Sequence, residues 1–265
     1  MAFSRGFTLI ELVITIVLAG ILATVSVKFL QFSSQGLVSS AGRQQLAASG
    51  YVVNEQVSRA VRNALPGSIR TTIDGQCIEY MPVLAGSTYT SLILGSNISQ
   101  FLAVPYSQTV SASGYISVYP ISASNIYSQS SPGPLTSVTG TVPSGTAEIT
   151  VTLGAAHTFS TDSPERRFFV SGAPEAICQD GEFLYNYQNY GFISNVANLK
   201  AALPTTRAAG RIVLAYPIAI GSLNFRYETP TLSRNGLVVF QYTLQHPTTL
   251  ESLSLSQQVR VVNVP

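Results

Sequence analysis

Phe7-Thr-Leu-Ile-Glu11-Leu opens an apolar run that continues to Val27, and Lys28 closes it. Its 21 residues make a helix of about 31 Å at ~1.5 Å per residue. The hydrocarbon core of a bilayer is ~30 Å thick, so the run predicts a membrane span. It holds one charged side chain, Glu11. An ionisable group at mid-depth in lipid is unfavourable by roughly 2.5–3.5 kcal/mol, so Glu11 is expected to have a partner and a role. An ordinary secretory signal has a shorter apolar part and an A-x-A-like cleavage site; here Ala19 and Ala23 are four apart. A plain signal anchor explains the length of the run but not the glutamate at its start.

No proline interrupts the chain between Phe7 and Leu65, and Pro66-Gly67 then stops the pattern. Beyond Lys28 the segment turns amphipathic. Val38, Ala41, Ala48, Val52, Val57, Ala60, Val61, Ala64 and Leu65 recur near a 3.6-residue period, while Gln44, Gln45, Asn54, Glu55, Ser58, Arg59 and Arg62 take much of the other face. The simplest structure is one helix from Phe7 to about Leu65, its first half in lipid and its second half against a globular head. Gly20, Gly36, Gly42 and Gly50 are each worth ~1 kcal/mol less than Ala in a helix. They mark either places of bending or places of close packing.

The remainder reads as β. Candidate strands are Cys77–Val83, Ser91–Leu94, Tyr115–Tyr119, Ala147–Leu153, Arg167–Val170, Glu182–Tyr187, Arg211–Tyr216, Ser222–Tyr227, Leu237–Leu244 and Gln258–Val262. Asp74-Gly75, Asp180-Gly181 and Asn235-Gly236 supply turns. A long helix followed by strands is an α+β order. From Tyr80 to Ala147 there are 68 residues without a charged side chain, rich in Ser, Thr, Gly, Tyr and Pro. This stretch reads as an uncharged insertion on the head. It is either an adaptable contact surface built from Tyr and Ser or a set of irregular strands and long surface loops.

Charged residues are only 10% of the chain and the net charge is +2, against ~25% charged in typical soluble domains. That balance argues against a nucleic-acid partner. The charge falls in blocks of +3 for residues 1–65, −5 for 66–199 and +4 for 200–265. Such alternation can register neighbours in a polymer, although folding also mixes sequence blocks on one surface. Enzyme chemistry has no foothold. There is no Gly-rich phosphate loop, G-x-S-x-G, H-E-x-x-H or zinc-spaced Cys pair. His157 and His246 are isolated. Asp162, Glu165, Glu175, Asp180 and Glu182 gather loosely around Arg166-Arg167 without EF-hand spacing, so no metal and no cofactor is expected. Asn97-Ile98-Ser99 is a glycosylation sequon of the kind that arises by chance.

Arg5-Gly6-Phe7-Thr8-Leu9-Ile10-Glu11-Leu12 resembles the class III signal of type IV prepilins and type II secretion pseudopilins, matching every position of its core. The resemblance implies a pilin-like α+β fold, with a long N-terminal helix packed on an antiparallel β-sheet head. The leader would be residues 1–6, the membrane half of the helix 7–30, its amphipathic half 31–65, and the β-rich head 66–265 with the uncharged insertion at 80–147. It implies that a prepilin peptidase cuts between Gly6 and Phe7 and N-methylates Phe7. It also implies that Glu11 pairs with the N-terminal amine of a neighbouring subunit and sets the stagger of the helices. Cys77-Ile-Glu-Tyr-Met-Pro, Gly181-Glu-Phe-Leu-Tyr-Asn-Tyr-Gln-Asn-Tyr-Gly-Phe and Gln258-Val-Arg-Val-Val-Asn-Val-Pro265 resemble the minor pilins of mannose-sensitive haemagglutinin (MSHA) pili, and the size of the head also fits J-type minor pseudopilins.

Such a resemblance implies a non-enzymatic subunit that joins a filament-tip complex and primes pilus assembly. Its partners would be the prepilin peptidase, the major pilin, other minor pilins and an inner-membrane assembly platform. The chain would cross the bacterial inner membrane once with a periplasmic head, then move to the pilus or pseudopilus. Alternatives of another class are a tip adhesin or a nucleic-acid or receptor-binding subunit; a secretion pseudopilin is the alternative within the class. In that topology Cys77 and Cys178 both lie on the oxidising side, where two cysteines point to one disulfide. Two buried free thiols are the competing state.

Overall fold

Helix α1 runs unbroken from Leu9 to Arg62, 54 residues or about 81 Å at ~1.5 Å per residue. The computed structural model describes residues 8–230, 234–247 and 249–261. From Leu9 to Val38 every residue of α1 is exposed, and the helix is long and apolar enough to cross a membrane. Its second half turns one face inward. Gly42, Leu46, Gly50, Val53, Val57, Ser58 and Val61 are buried, most of them spaced by threes and fours on one stripe. Ser58, expected on the polar face, lies inside, and Val38, Ala41, Ala48 and Val52, expected on the apolar face, are exposed. The helix stops at the Asn63 C-cap. Pro66 comes next, with no amide hydrogen to continue the ladder, and Gly67 at φ +73° turns the chain.

Fourteen strands lie beyond α1 among the described residues. They are β1 (Arg70–Thr71), β2 (Cys77–Tyr80), β3 (Val83–Ser91), β4 (Ile98–Ala103), β5 (Ala112–Val118), β6 (Gly140–Val142), β7 (Ile149–His157), β8 (Arg167–Ser171), β9 (Glu175–Asp180), β10 (Phe183–Tyr187), β11 (Arg211–Ala215), β12 (Asn224–Glu228), β13 (Gly236–Gln245) and β14 (Ser252–Val261). A short helix, α2 (Ala123–Tyr127), lies between β5 and β6. The strands form three antiparallel units: a five-stranded sheet β1-β2-β9-β10-β11, a three-stranded sheet β12-β13-β14, and a closed barrel β3-β4-β7-β6-β5-β8. The chain is therefore α+β with a pilin-like plan.

The two sheets share one core with α1. Val53, Val57 and Val61 of the helix meet Ile78, Ile177 and Leu184 of the larger sheet and Phe225, Val238, Phe240, Tyr242 and Val259 of the smaller. Two helix glycines lie against the small sheet and its turn. A Cβ on Gly50 would run into the Leu255 side chain, and one on Gly42 would touch His246 and Glu251. Gly20 and Gly36 face open space.

The barrel has its own core. Phe101 packs edge-on to Phe168 (5.2 Å) and to Phe159 (6.5 Å), with Ile116, Val118, Val151 and Val170 around them. Closure comes from β3 pairing with β8, which brings Gly86 opposite Phe169. The uncharged stretch supplies β3 to β6, and β7 and β8 complete the barrel. The stretch thus holds strands with irregular register at β3 and β4, joined by long connections around α2. The expected strand at Ser91–Leu94 differs: β3 ends at Ser91 and the chain turns through Gly95 at φ +69°. The barrel is fastened to the C-terminal end of α1. Val83 N donates to Asn63 O (2.8 Å), Asn63 Nδ2 to Val83 O (3.0 Å), and Leu65 N to Met81 O (2.7 Å). Leu65 and Met81 are buried with Ile126, Tyr127 and Leu135 at this junction.

Candidate functional site

The membrane end of α1 begins with a capping pattern. Thr8 is the N-cap in an extended conformation, and its Oγ1 accepts from Glu11 N at 3.3 Å. The Thr8 hydroxyl lies 3.5 Å from Glu11 Oε2. Thr-x-x-Glu is the spacing that lets the cap hydroxyl and the third helical residue serve each other, and the helix N-terminus favours a negative charge there. Glu11 is exposed, and among the described residues no cationic side chain pairs with it. Gly6 and Phe7 lie outside the described residues. The exposed carboxylate therefore stands at the start of a bare apolar helix whose flanks, Leu9, Ile10, Leu12 and Val13, are 44–83% exposed.

Cys77 and Cys178 are joined by a disulfide. They sit directly opposite each other on β2 and β9, on the sheet face turned away from α1, where Ala176, Tyr187 and Leu199 pack around them.

A buried ion pair lies on that same face. Arg70 Nε is 2.5 Å from Glu79 Oε2, with the Glu79 side chain fully buried. Tyr190 donates to the other carboxylate oxygen at 3.1 Å. The Arg70 guanidinium also donates to the carbonyls of Ser194 (2.9 Å) and Ile193, and it stacks 3.6 Å from the centre of the Tyr127 ring on α2. Burial pushes the Glu79 carboxyl up, while the hydrogen bonds from Arg70 and Tyr190 pull it down less strongly. Since Tyr127 belongs to the barrel junction, this pair ties the five-stranded sheet to the barrel.

The acidic cluster of the sequence disperses in the fold. Asp162 accepts from Tyr89, Glu165 pairs with Arg167, Asp180 pairs with Arg211 at 2.5 Å, and Glu175 accepts from Tyr80 at 3.1 Å. Among the described residues no group of three His, Cys, Asp or Glu side chains could hold a metal ion. His157 is buried in the barrel with Nε2 3.0 Å from Gly133 O and its ring against Phe159, a structural position. His246 lies in the β13–β14 turn, where its Nδ1 accepts from Thr249 N.

Residues 1–27 match the family model described as the prokaryotic N-terminal methylation motif. The motif supports a type IV pilin-like protein. It and the apolar helix together support membrane anchoring, processing by a prepilin peptidase and assembly with other pilins. No curated protein and no solved structure matches the chain. The Arg70–Glu79–Tyr190–Tyr127 cluster escaped the sequence reading. The local sign was the alternation in Cys77-Ile78-Glu79-Tyr80, which places Glu79 beside Cys77 on one face.

Proposed function

We propose that this chain is a minor pilin or pseudopilin of the MSHA type, MshO-like, which joins a filament-tip complex and primes polymerisation of the major pilin. The observation that carries the reading is the methylation motif running directly into a helix whose first thirty or so residues bury nothing in the monomer. A bare helix of that kind is stable only in lipid or among other apolar helices.

In this reading the peptidase cuts between Gly6 and Phe7 and methylates the Phe7 amine, and the head stands on the periplasmic side. The new amine is cationic. Placed beside Glu11 of an adjoining subunit, it offsets the desolvation of that carboxylate and fixes the axial stagger of the helices. The assembly platform in the inner membrane then draws the subunit out with its neighbours. A minor role is supported by the barrel, which enlarges the head at the C-terminal end of α1.

The uncharged stretch that supplies β3 to β6 of the barrel also favours a second reading, a tip subunit that contacts a receptor. Deleting the gene and imaging the cells separates the two. Loss of filaments, restored by the intact chain, supports priming; normal filaments with lost surface attachment support the receptor reading.

A further inference from the structure

A cavity of about 530 Å³ opens between the C-terminal half of α1 and the face of the five-stranded sheet. Aliphatic side chains of Val52, Ala60, Ile177 and Leu214 form part of its wall, and Glu55, Arg59 and the C-cap Asn63 also line the helix side. Its floor carries the Glu175 carboxylate. One oxygen accepts from Tyr80 Oη and Asn186 Nδ2, both at 3.1 Å, and the other from Gln188 Nε2 at 3.0 Å. All three donors are neutral, and burial together with the charge of Glu175 keeps Tyr80 protonated. The carboxylate is thus held in a fixed orientation with its charge unmatched by any cation among the described residues. With its Nδ2 committed to Glu175, Asn186 is left with an Oδ1 that is buried and has no donor. The nearby guanidinium of Arg59 is turned to Glu55, one helical turn away at 3.4 Å, and is largely in solvent.

A partly aliphatic cleft that ends in oriented acceptors is the complement of an aliphatic stem ending in a cation. We propose that this cavity receives the Arg or Lys side chain of an adjoining subunit, with Glu175 as its counter-ion. The cavity's preference for a cation stands on its own geometry; that an adjoining subunit supplies the cation rests on the pilin-like reading.

The chain contains no Trp, so Tyr51→Trp places a sole tryptophan, excited at the red edge where tyrosine does not absorb, on the rim of the cavity in the full-length, detergent-solubilised protein. N-acetyl-arginine methylamide should shift its emission saturably, and the neutral isostere N-acetyl-citrulline methylamide should require at least tenfold more. Glu175→Gln in the same background should weaken the arginine probe at least tenfold. Equal half-saturation for the two probes overturns the site without any change at Glu175, whether or not the Gln variant folds. In cells, a photo-crosslinking residue at Val52 should join a pilin-type subunit through a peptide containing Arg or Lys. Crosslinks to peptides without a basic residue, or to proteins lacking the methylation motif, overturn the assignment to an adjoining subunit while leaving the probe result to stand or fall separately.

Discussion

The Tyr242 hydroxyl on β13 donates to the carbonyl oxygen of Gly50 on α1 at 3.0 Å, across 192 positions of sequence. Asn54 Oδ1 lies 2.9 Å from the same hydroxyl. A Cβ on Gly50 would meet the end of the Leu255 side chain on β14. This polar contact sits within the apolar core that Val53 and Val57 share with the small sheet. Tyr242→Phe should lower stability by about 1 kcal/mol, the usual net worth of one hydrogen bond. Gly50→Val should destabilise more, by about 1–3 kcal/mol from overpacking, and Leu255→Ala should recover part of that loss. Thermal melts of the four combinations give the coupling between Gly50 and Leu255; strict additivity would show that they do not press on each other.

The Arg70–Glu79 pair should reveal itself through pH. Burial raises the Glu79 carboxyl above its ordinary value of 4.5. The folded chain then holds that proton more tightly than the unfolded chain, so this group's contribution to stability falls as pH rises through the interval above 4.5. Glu79→Gln should flatten that fall in melts recorded from about pH 4 to about pH 8. Arg70→Met strands a buried carboxylate and should cost about 3–5 kcal/mol. A pH profile identical in wild type and Glu79→Gln would contradict the direction assigned to Glu79.

The cross-strand disulfide closes a separation of 101 residues. Thiol labelling of the denatured, unreduced protein should find neither Cys77 nor Cys178 free. Replacing both by Ser should destabilise the head by about 2–5 kcal/mol. Full labelling of both cysteines would show that the bridge does not form in the cell.

How much of this fold could be read from the chain depends on the range over which each element is determined. The start of α1 is local: Thr8-x-x-Glu11 is its own cap signal, and Pro66 is its own stop. The hairpins at Asp74-Gly75 and Asp180-Gly181 are local too, with Phe183 paired to Asp180 across the second turn. The barrel was not legible. Its closure depends on β3 meeting β8 some eighty residues later, and a surface of Ser, Thr and Gly gives little contrast between inward and outward positions. The Arg70–Glu79 cluster stayed hidden for a similar reason, because Tyr127 and Tyr190 reach it only through the tertiary fold. At the N-terminal site the methylation motif is local in sequence, and the exposed Glu11 beside Thr8 adds its geometry.

Glu11→Gln isolates the ionic part of the proposed subunit contact. Gln keeps the shape and a hydrogen-bonding amide but not the charge. Cleavage should stay largely intact, because the proposed cut follows Gly6 and not Glu11, whereas co-purification with sheared filaments or with other minor pilins should fall. Mature Glu11→Gln protein that assembles as well as wild type would show that the charge is dispensable in this subunit.

The N-terminal residue of the mature chain is the most direct test of the pilin-like reading. Intact-mass and peptide mass spectrometry of the protein extracted from membranes should find N-methyl-Phe7 as the first residue, with residues 1–6 gone. Replacing Gly6 by a bulky residue should leave the precursor uncut. A chain that still begins at Met1, or one cut near Ala23, would contradict the reading.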